Sequence, residues 1–244
     1  MRNILMKISY NGENYHGFQV QNNALAVANV IEEALFKLTG ENISVTGCSR
    51  TDAGVHAEEF YLNFHTESSL SENNFLRGMN TYLPRDVAVK EVREAQEDFH
   101  ARFSAKSKEY KYLILNSEVR DPFYEKRALF YNRRIDEDLL NRECKAFIGT
   151  HDFSAFCSAG GTTKTNVRTV KDCYVKRTGD IVEIRIMADG FLYNMVRIIV
   201  GTLLEINEGK IEAGSIEKII EKKDRSLSGD TASGEGLYLT KVNY

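Results

Sequence analysis

Tryptophan is absent from this 244-residue chain, and proline occurs twice, at Pro84 and Pro122. So few prolines beside 17 glycines exclude a long Pro/Gly-rich linker. No apolar run approaches the roughly 20 residues of a membrane-spanning helix. The opening Met1-Arg2-Asn3-Ile4-Leu5-Met6-Lys7 returns to charge too soon for a signal peptide, so a cytoplasmic protein is expected. The four cysteines, Cys48, Cys144, Cys157 and Cys173, form no CxxC pair and no cluster with zinc-ligand spacing. They read as reduced thiols, and no metal is expected. Neither GxGxxG nor Walker A occurs, so nothing points to a nucleotide cofactor. Positive charge is not in excess either: 32 Lys and Arg face 35 Asp and Glu, a net charge of −3. That excludes a basic coat but not a basic cleft, because charge can segregate.

Segregation is visible. Arg93, Arg102, Lys106, Lys108 and Lys111 gather mid-chain with Phe99, Phe103, Tyr110 and Tyr112 between them. Lys164, Arg168 and Lys171 form a second group after Gly160-Gly161. Basic stretches with aromatics suit phosphate contacts and base stacking, and they equally suit solvated strand faces.

The most informative stretch is Cys48-Ser49-Arg50-Thr51-Asp52-Ala53-Gly54-Val55-His56-Ala57. The β-branched run Ile43 to Thr46 before it and Glu59 to Phe64 after it read as strands, with Ala53-Gly54 as a tight turn. Asp52 thus sits on a loop with rigid flanks, where Arg50 favours its ionised form. Such a carboxylate can be a nucleophile or a base. Alternatively, it bonds the backbone of its own turn.

Around this loop the pattern alternates strands with amphipathic helices. The first half reads as a strand 3–10, a helix 27–38 stopped by Gly40, a helix 71–82 with Ser71 as N-cap, and a strand 86–92. The second reads as a strand 109–116, a helix 136–147, a hairpin 169–177 with 181–187, a helix 191–206, a short helix 214–222 and a strand 236–242. This grammar predicts an α+β protein of two lobes, 1–104 and 105–244, the first carrying the Asp52 loop.

Ser49-Arg50-Thr51-Asp52-Ala53-Gly54-Val55-His56 resembles the signature of the TruA family of tRNA pseudouridine synthases. Further blocks resemble that family in order. They are Ile8 to Gly12 with His16-Gly17-Phe18-Gln19, Asp98 to Ala105, Lys108 to Tyr112, Asp152 to Phe156, Phe191 to Gly201, and Glu235 to Leu239. The resemblance implies ferredoxin-like or RRM-like lobes with mainly antiparallel sheets and a cleft between them. It implies isomerisation of uridine to pseudouridine in the anticodon stem-loop of tRNA, without a cofactor, by a homodimer. An isomerase on another RNA or tRNA site, and an inactive RNA-binding paralogue, are the alternatives.

By the same resemblance Asp52 is the nucleophile. Arg50 assists in flipping the base, and Arg197, set in an otherwise apolar helix, stands beside the carboxylate. Tyr110 stacks on the target base, although Tyr112 shares its strand face. Leu237 and Val200-Gly201 wall the pocket, while Arg102, Lys108, Lys111 and Arg168 meet RNA. His56 is read as a structural loop histidine. Three positions depart from the family pattern. Ala24-Leu25-Ala26-Val27-Ala28 replaces Gly-Arg-Thr-Val-Gln, Phe18 replaces a Trp, and Ser49 replaces a Gly. Chemistry is therefore expected to persist while RNA docking differs.

Overall fold

A computed structural model describes residues 1–161 and 163–244. The chain forms two compact units, Met1–Lys106 with Tyr238–Tyr244, and Ser107–Leu237. The closing segment, expected with the second lobe, thus belongs with the first.

The first unit runs β1 (Arg2–Tyr10), α1 (Val27–Thr39), β2 (Thr46–Gly47), β3 (His56–Thr66), α2 (Glu72–Tyr82) and β4 (Val87–Ala95). β1 lies between β4 and β3, antiparallel to both. The other edge of β3 takes β2 at Leu62 and Asn63, and the last strand, β10 (Leu237–Asn243), at His56 and Ala57. Only the β10 pairing is parallel, so the sheet is mainly antiparallel, as an α+β fold requires. Phe60, Leu62 and Phe64 alternate onto one face of β3, and Phe64 meets Phe75 of α2 edge-on at 5.9 Å. Gly40 ends α1 in the left-handed conformation, and the Ser71 hydroxyl accepts from Asn74 N–H to cap α2.

The second unit contains β5 (Ser107–Leu115), β6 (Leu129–Phe130), α3 (Glu137–Cys144), β7 (Gly149–Asp152), β8 (Val167–Thr178), β9 (Ile181–Ala188), α4 (Met195–Asn207) and α5 (Ile216–Lys222). Its strands lie in the order β5-β9-β8-β7, all antiparallel, with β6 parallel on β5. The β8–β9 hairpin turns at Gly179-Asp180, as the sequence indicates. α4 buries residues on all sides, which fits a helix apolar all round.

Three elements differ from the sequence reading. Ile43 to Val45 makes no ladder, because the Val45 N–H donates to the Glu32 carboxylate of α1 at 3.0 Å. α4 begins at Met195 rather than Phe191, since Asn194 takes a left-handed conformation (φ 61°) that a helix cannot continue. α3 stops at Cys144 and tightens into a 3-10 turn over Lys145–Phe147.

Candidate functional site

Arg50 and Asp52 lie on the loop between β2 and β3, Arg50 exposed and Asp52 half-buried. The loop is pinned by the segment that follows β1. The Tyr10 and Thr51 hydroxyls bond at 2.8 Å in the interior, and Gly54 N–H donates to Tyr15 O at 3.1 Å. Gly12 N–H donates to His56 Nδ1 at 3.0 Å, so the neutral ring carries its proton on Nε2. That buried ring stacks on Tyr238 at 4.5 Å, which gives His56 a structural task. Packing is closer still at two glycines. A Cβ on Gly12 would stand 2.0 Å from Val55 O, and one on Gly17 2.1 Å from Thr51 O. Gly17 also has φ +86°, a conformation that L side chains rarely adopt. The backbone on both sides of Asp52 is therefore seated against glycine backbone, which preorganises the carboxylate.

Arg102 comes to the same unit from a turn after β4. Arg50 and Arg102 both border a cavity of about 450 Å³ with His100 and Phe103. Burial, and then the charge of Arg50, hold the Arg102 guanidinium below its usual pKa. This turn is anchored by buried asparagines. Asn63 Oδ1 accepts from Ala101 N–H at 2.8 Å, and Asn3 Nδ2 donates to Phe99 O at 2.9 Å. Asn63 Nδ2 donates to Asn3 Oδ1 at 2.9 Å, so the pair is self-satisfied.

In the second unit Tyr110 and Tyr112 share a face of β5, as strand alternation requires. Their tasks differ. Tyr112 is fully buried and donates its hydroxyl to Ser233 O at 2.9 Å, and burial pushes its pKa up to about 12. Tyr110 meets the Phe191 ring edge-on at 5.0 Å. Lys108 lies on the face of Tyr110, whereas Lys111 lies on the opposite face, in register with Arg185, whose Nη1 pairs with Glu109 at 2.9 Å. The half-buried Arg197 on α4 donates Nε–H to Ala232 O at 2.7 Å and Nη1–H to Asn194 Oδ1 at 2.8 Å. Gly201, expected in a pocket wall, is closely packed. A Cβ there would stand 1.8 Å from Asp230 O, so its absence admits the segment that carries Ala232. Leu237 is buried, and its N–H donates to Gly234 O at 3.0 Å. Arg168 on β8 donates to the carbonyls of Thr165 and Val167, a local arrangement at the strand's start.

Sequence reasoning named the charged and aromatic residues but not their supports, namely Gly12, Gly17, Tyr10, Asn194 and the Asn3–Asn63 pair. The two glycines stand in the opening block, but contacts 34 and 43 positions away leave no local signal. Among the described residues no three His, Cys, Asp or Glu side chains are grouped to hold a metal ion. Among the same residues no helix is long and apolar enough to cross a membrane.

Comparison with known proteins gives the family. A family model described as tRNA pseudouridine synthase matches residues 6–104 and 144–244. A protein of Acetivibrio thermocellus named tRNA pseudouridine synthase A is 48% identical over 244 residues, covering all of both chains. One of the same name from Caldicellulosiruptor saccharolyticus is 44% identical over the same full length. A protein of Clostridium perfringens named tRNA pseudouridine synthase A 2 is 42% identical over 245 residues, again with both chains fully covered.

Proposed function

The chain belongs to the family of tRNA pseudouridine synthases, and we propose on that premise that it isomerises uridine to pseudouridine in the anticodon stem-loop of tRNA, with Asp52 as nucleophile. The net change breaks the glycosidic C1′–N1 bond, forms C1′–C5, and releases the C5 hydrogen as a proton while N1 gains one. No electrons leave the substrate, so the reaction requires no redox cofactor.

The observation that carries the reading is the seating of the Asp52 loop. A carboxylate fixed by backbone packing on both sides loses little freedom when it meets an extruded base. Arg50 and Arg197 are assigned to keep that carboxylate ionised and to order the RNA. Tyr110 stacks on the target base, Leu237 bounds it, and Arg102, Lys108, Lys111 and Arg168 meet phosphates. The working form is a cytoplasmic homodimer. The apolar run Ala24 to Ala28 favours a second reading, an isomerase with another RNA target, because it offers few polar side chains for docking.

The test uses unmodified tRNA tritiated at uracil C5. Tritium release mapping to the anticodon arm supports the first reading, and release elsewhere supports the second. Binding without release removes catalysis from both. Asp52→Asn is expected to reduce release to background while tRNA affinity stays within about tenfold, roughly 1.4 kcal/mol. Full activity in that variant would take Asp52 out of the mechanism.

A further inference from the structure

The cavity beside the Asp52 loop joins Arg50 and Arg102, already assigned to the RNA, to an aromatic turn that the reaction at Asp52 does not use. Its bordering residues include Arg50, Arg102, His100 and Phe103, but not Asp52. At about 450 Å³ it lies within the range of small-ligand sites, about 300–1,000 Å³. Phe103 is 76% exposed, although exposing a phenylalanine forgoes about 1.5–3 kcal/mol of burial. It is nonetheless held in place. The His100 ring lies 4.2 Å from it at 32°, and Arg102 Cζ is 5.7 Å from its centroid. His100 Nδ1 in turn accepts from the N–H groups of Arg102 and Phe103 at 3.2 and 3.3 Å, which fixes the turn.

The charges converge in the same place. Arg50 and Arg102 border the cavity together and repel each other. An anion between them would relieve that repulsion, and a guanidinium fork suits a phosphate. Glu32 also borders the cavity, but its Oε1 accepts from Val45 N–H at 3.0 Å, so part of its charge is committed. Ala28 presents only a methyl group, which leaves room.

We propose that this cavity is a subsite for one single-stranded nucleotide of the RNA, separate from the nucleotide at Asp52, with its base stacked on Phe103 and its phosphate between Arg50 and Arg102. The proposal rests on the RNA-modifying reading above. Stacking on an exposed ring tolerates any base, so the subsite grips the strand without reading its sequence.

The absence of tryptophan supplies a clean probe. Phe103→Trp places a sole indole in the cavity, and its fluorescence is titrated with unmodified tRNA, pentauridylate, uridine 5′-monophosphate and ribose 5-phosphate. Quenching is expected from tRNA and pentauridylate but not from ribose 5-phosphate at equal ionic strength. Quenching by the free mononucleotide at lower concentration than by the pentamer would overturn assignment to a nucleotide within a strand. No quenching by any of them would overturn the subsite altogether. Phe103→Ala is expected to weaken pentauridylate binding about tenfold, and to leave the binding of a pentamer of abasic residues unchanged. An equal loss on the abasic strand would overturn stacking. Tritium release from C5-tritiated tRNA is read in parallel with the unsubstituted protein. Release without quenching overturns the subsite and leaves the proposed activity standing, whereas quenching without release supports the subsite and removes that activity.

Discussion

In the first unit the Asp52 loop is held by backbone pressed on backbone, at Gly12 against Val55 and Gly17 against Thr51. In the second, Arg197 rides on α4 and is aimed by hydrogen bonds from its own side chain to Ala232 and Asn194. The first arrangement admits no added atom, since a methyl group at 2 Å from a carbonyl oxygen must displace backbone. The second can lose one hydrogen bond and keep the rest. Rigid seating is therefore found at the proposed nucleophile, and side-chain anchoring at the guanidinium proposed to assist it.

The largest effect should come from Gly17→Ala. It adds the contact with Thr51 and imposes a backbone conformation that costs an L residue about 1–3 kcal/mol. Displacing the loop by about 1 Å is enough for a roughly hundredfold loss of turnover. Tritium release is expected to fall at least that far, with urea unfolding showing a loss of about 3 kcal/mol. Wild-type release would mean that this packing does not position Asp52, and the contrast with Arg197 would break.

Arg197→Lys should do less. It keeps the charge but loses the fork that reaches Ala232 and Asn194 together. Charge-assisted hydrogen bonds contribute about 1.5–3 kcal/mol each, so release is expected to fall roughly ten- to a hundredfold. Asn194→Gly sharpens the point. Glycine accepts the φ of 61° there, so the change adds no strain and removes two side-chain hydrogen bonds, the one from Arg197 and the one to Ser158 Oγ, and a few-fold loss is expected. A loss equal to that of Arg197→Lys would show that Asn194 alone aims the guanidinium.

The same contrast explains what the sequence made legible. β1, α1, α2 and the β8–β9 hairpin follow from periodicity, capping and turn residues, which are local. β10 is placed by a parallel pairing with His56 and Ala57, about 180 positions back, and no neighbouring residue announces that. The extended segment 43–45 looked like a strand because β-branched residues favour one, yet a carboxylate on α1 claimed the needed N–H. Asp52 and Arg50 stand out by the chemistry of their loop as well as by resemblance, and Arg197 and Tyr110 by resemblance, which travels with short motifs. The glycines and asparagines that hold them act across the fold, and a residue with no side chain offers no chemistry to read.

The smallest effect separates the two tyrosines of β5. Tyr112→Phe deletes the hydroxyl that donates to Ser233 O, so stability at pH 7 should fall by about 1 kcal/mol. Alkaline pH reverses the order. Burial raises the folded pKa of Tyr112 to about 12, above the ordinary value of 10.0. The unfolded phenol therefore loses its proton first, and its contribution to stability, fully present below pH 10, is lost as pH rises towards 12. That loss amounts to about 2–3 kcal/mol, more than the hydrogen bond contributes. Tyr15 and Tyr244 are raised as well, but both proteins contain them, so they cancel in the difference. The stability curves of Tyr112→Phe and the parent are thus expected to cross between pH 10 and 12 in urea titrations. Parallel curves throughout that range would mean that the Tyr112 phenol is not sealed from water. Its hold on Ser233, and with it the distinction drawn between Tyr112 and Tyr110, would then fail.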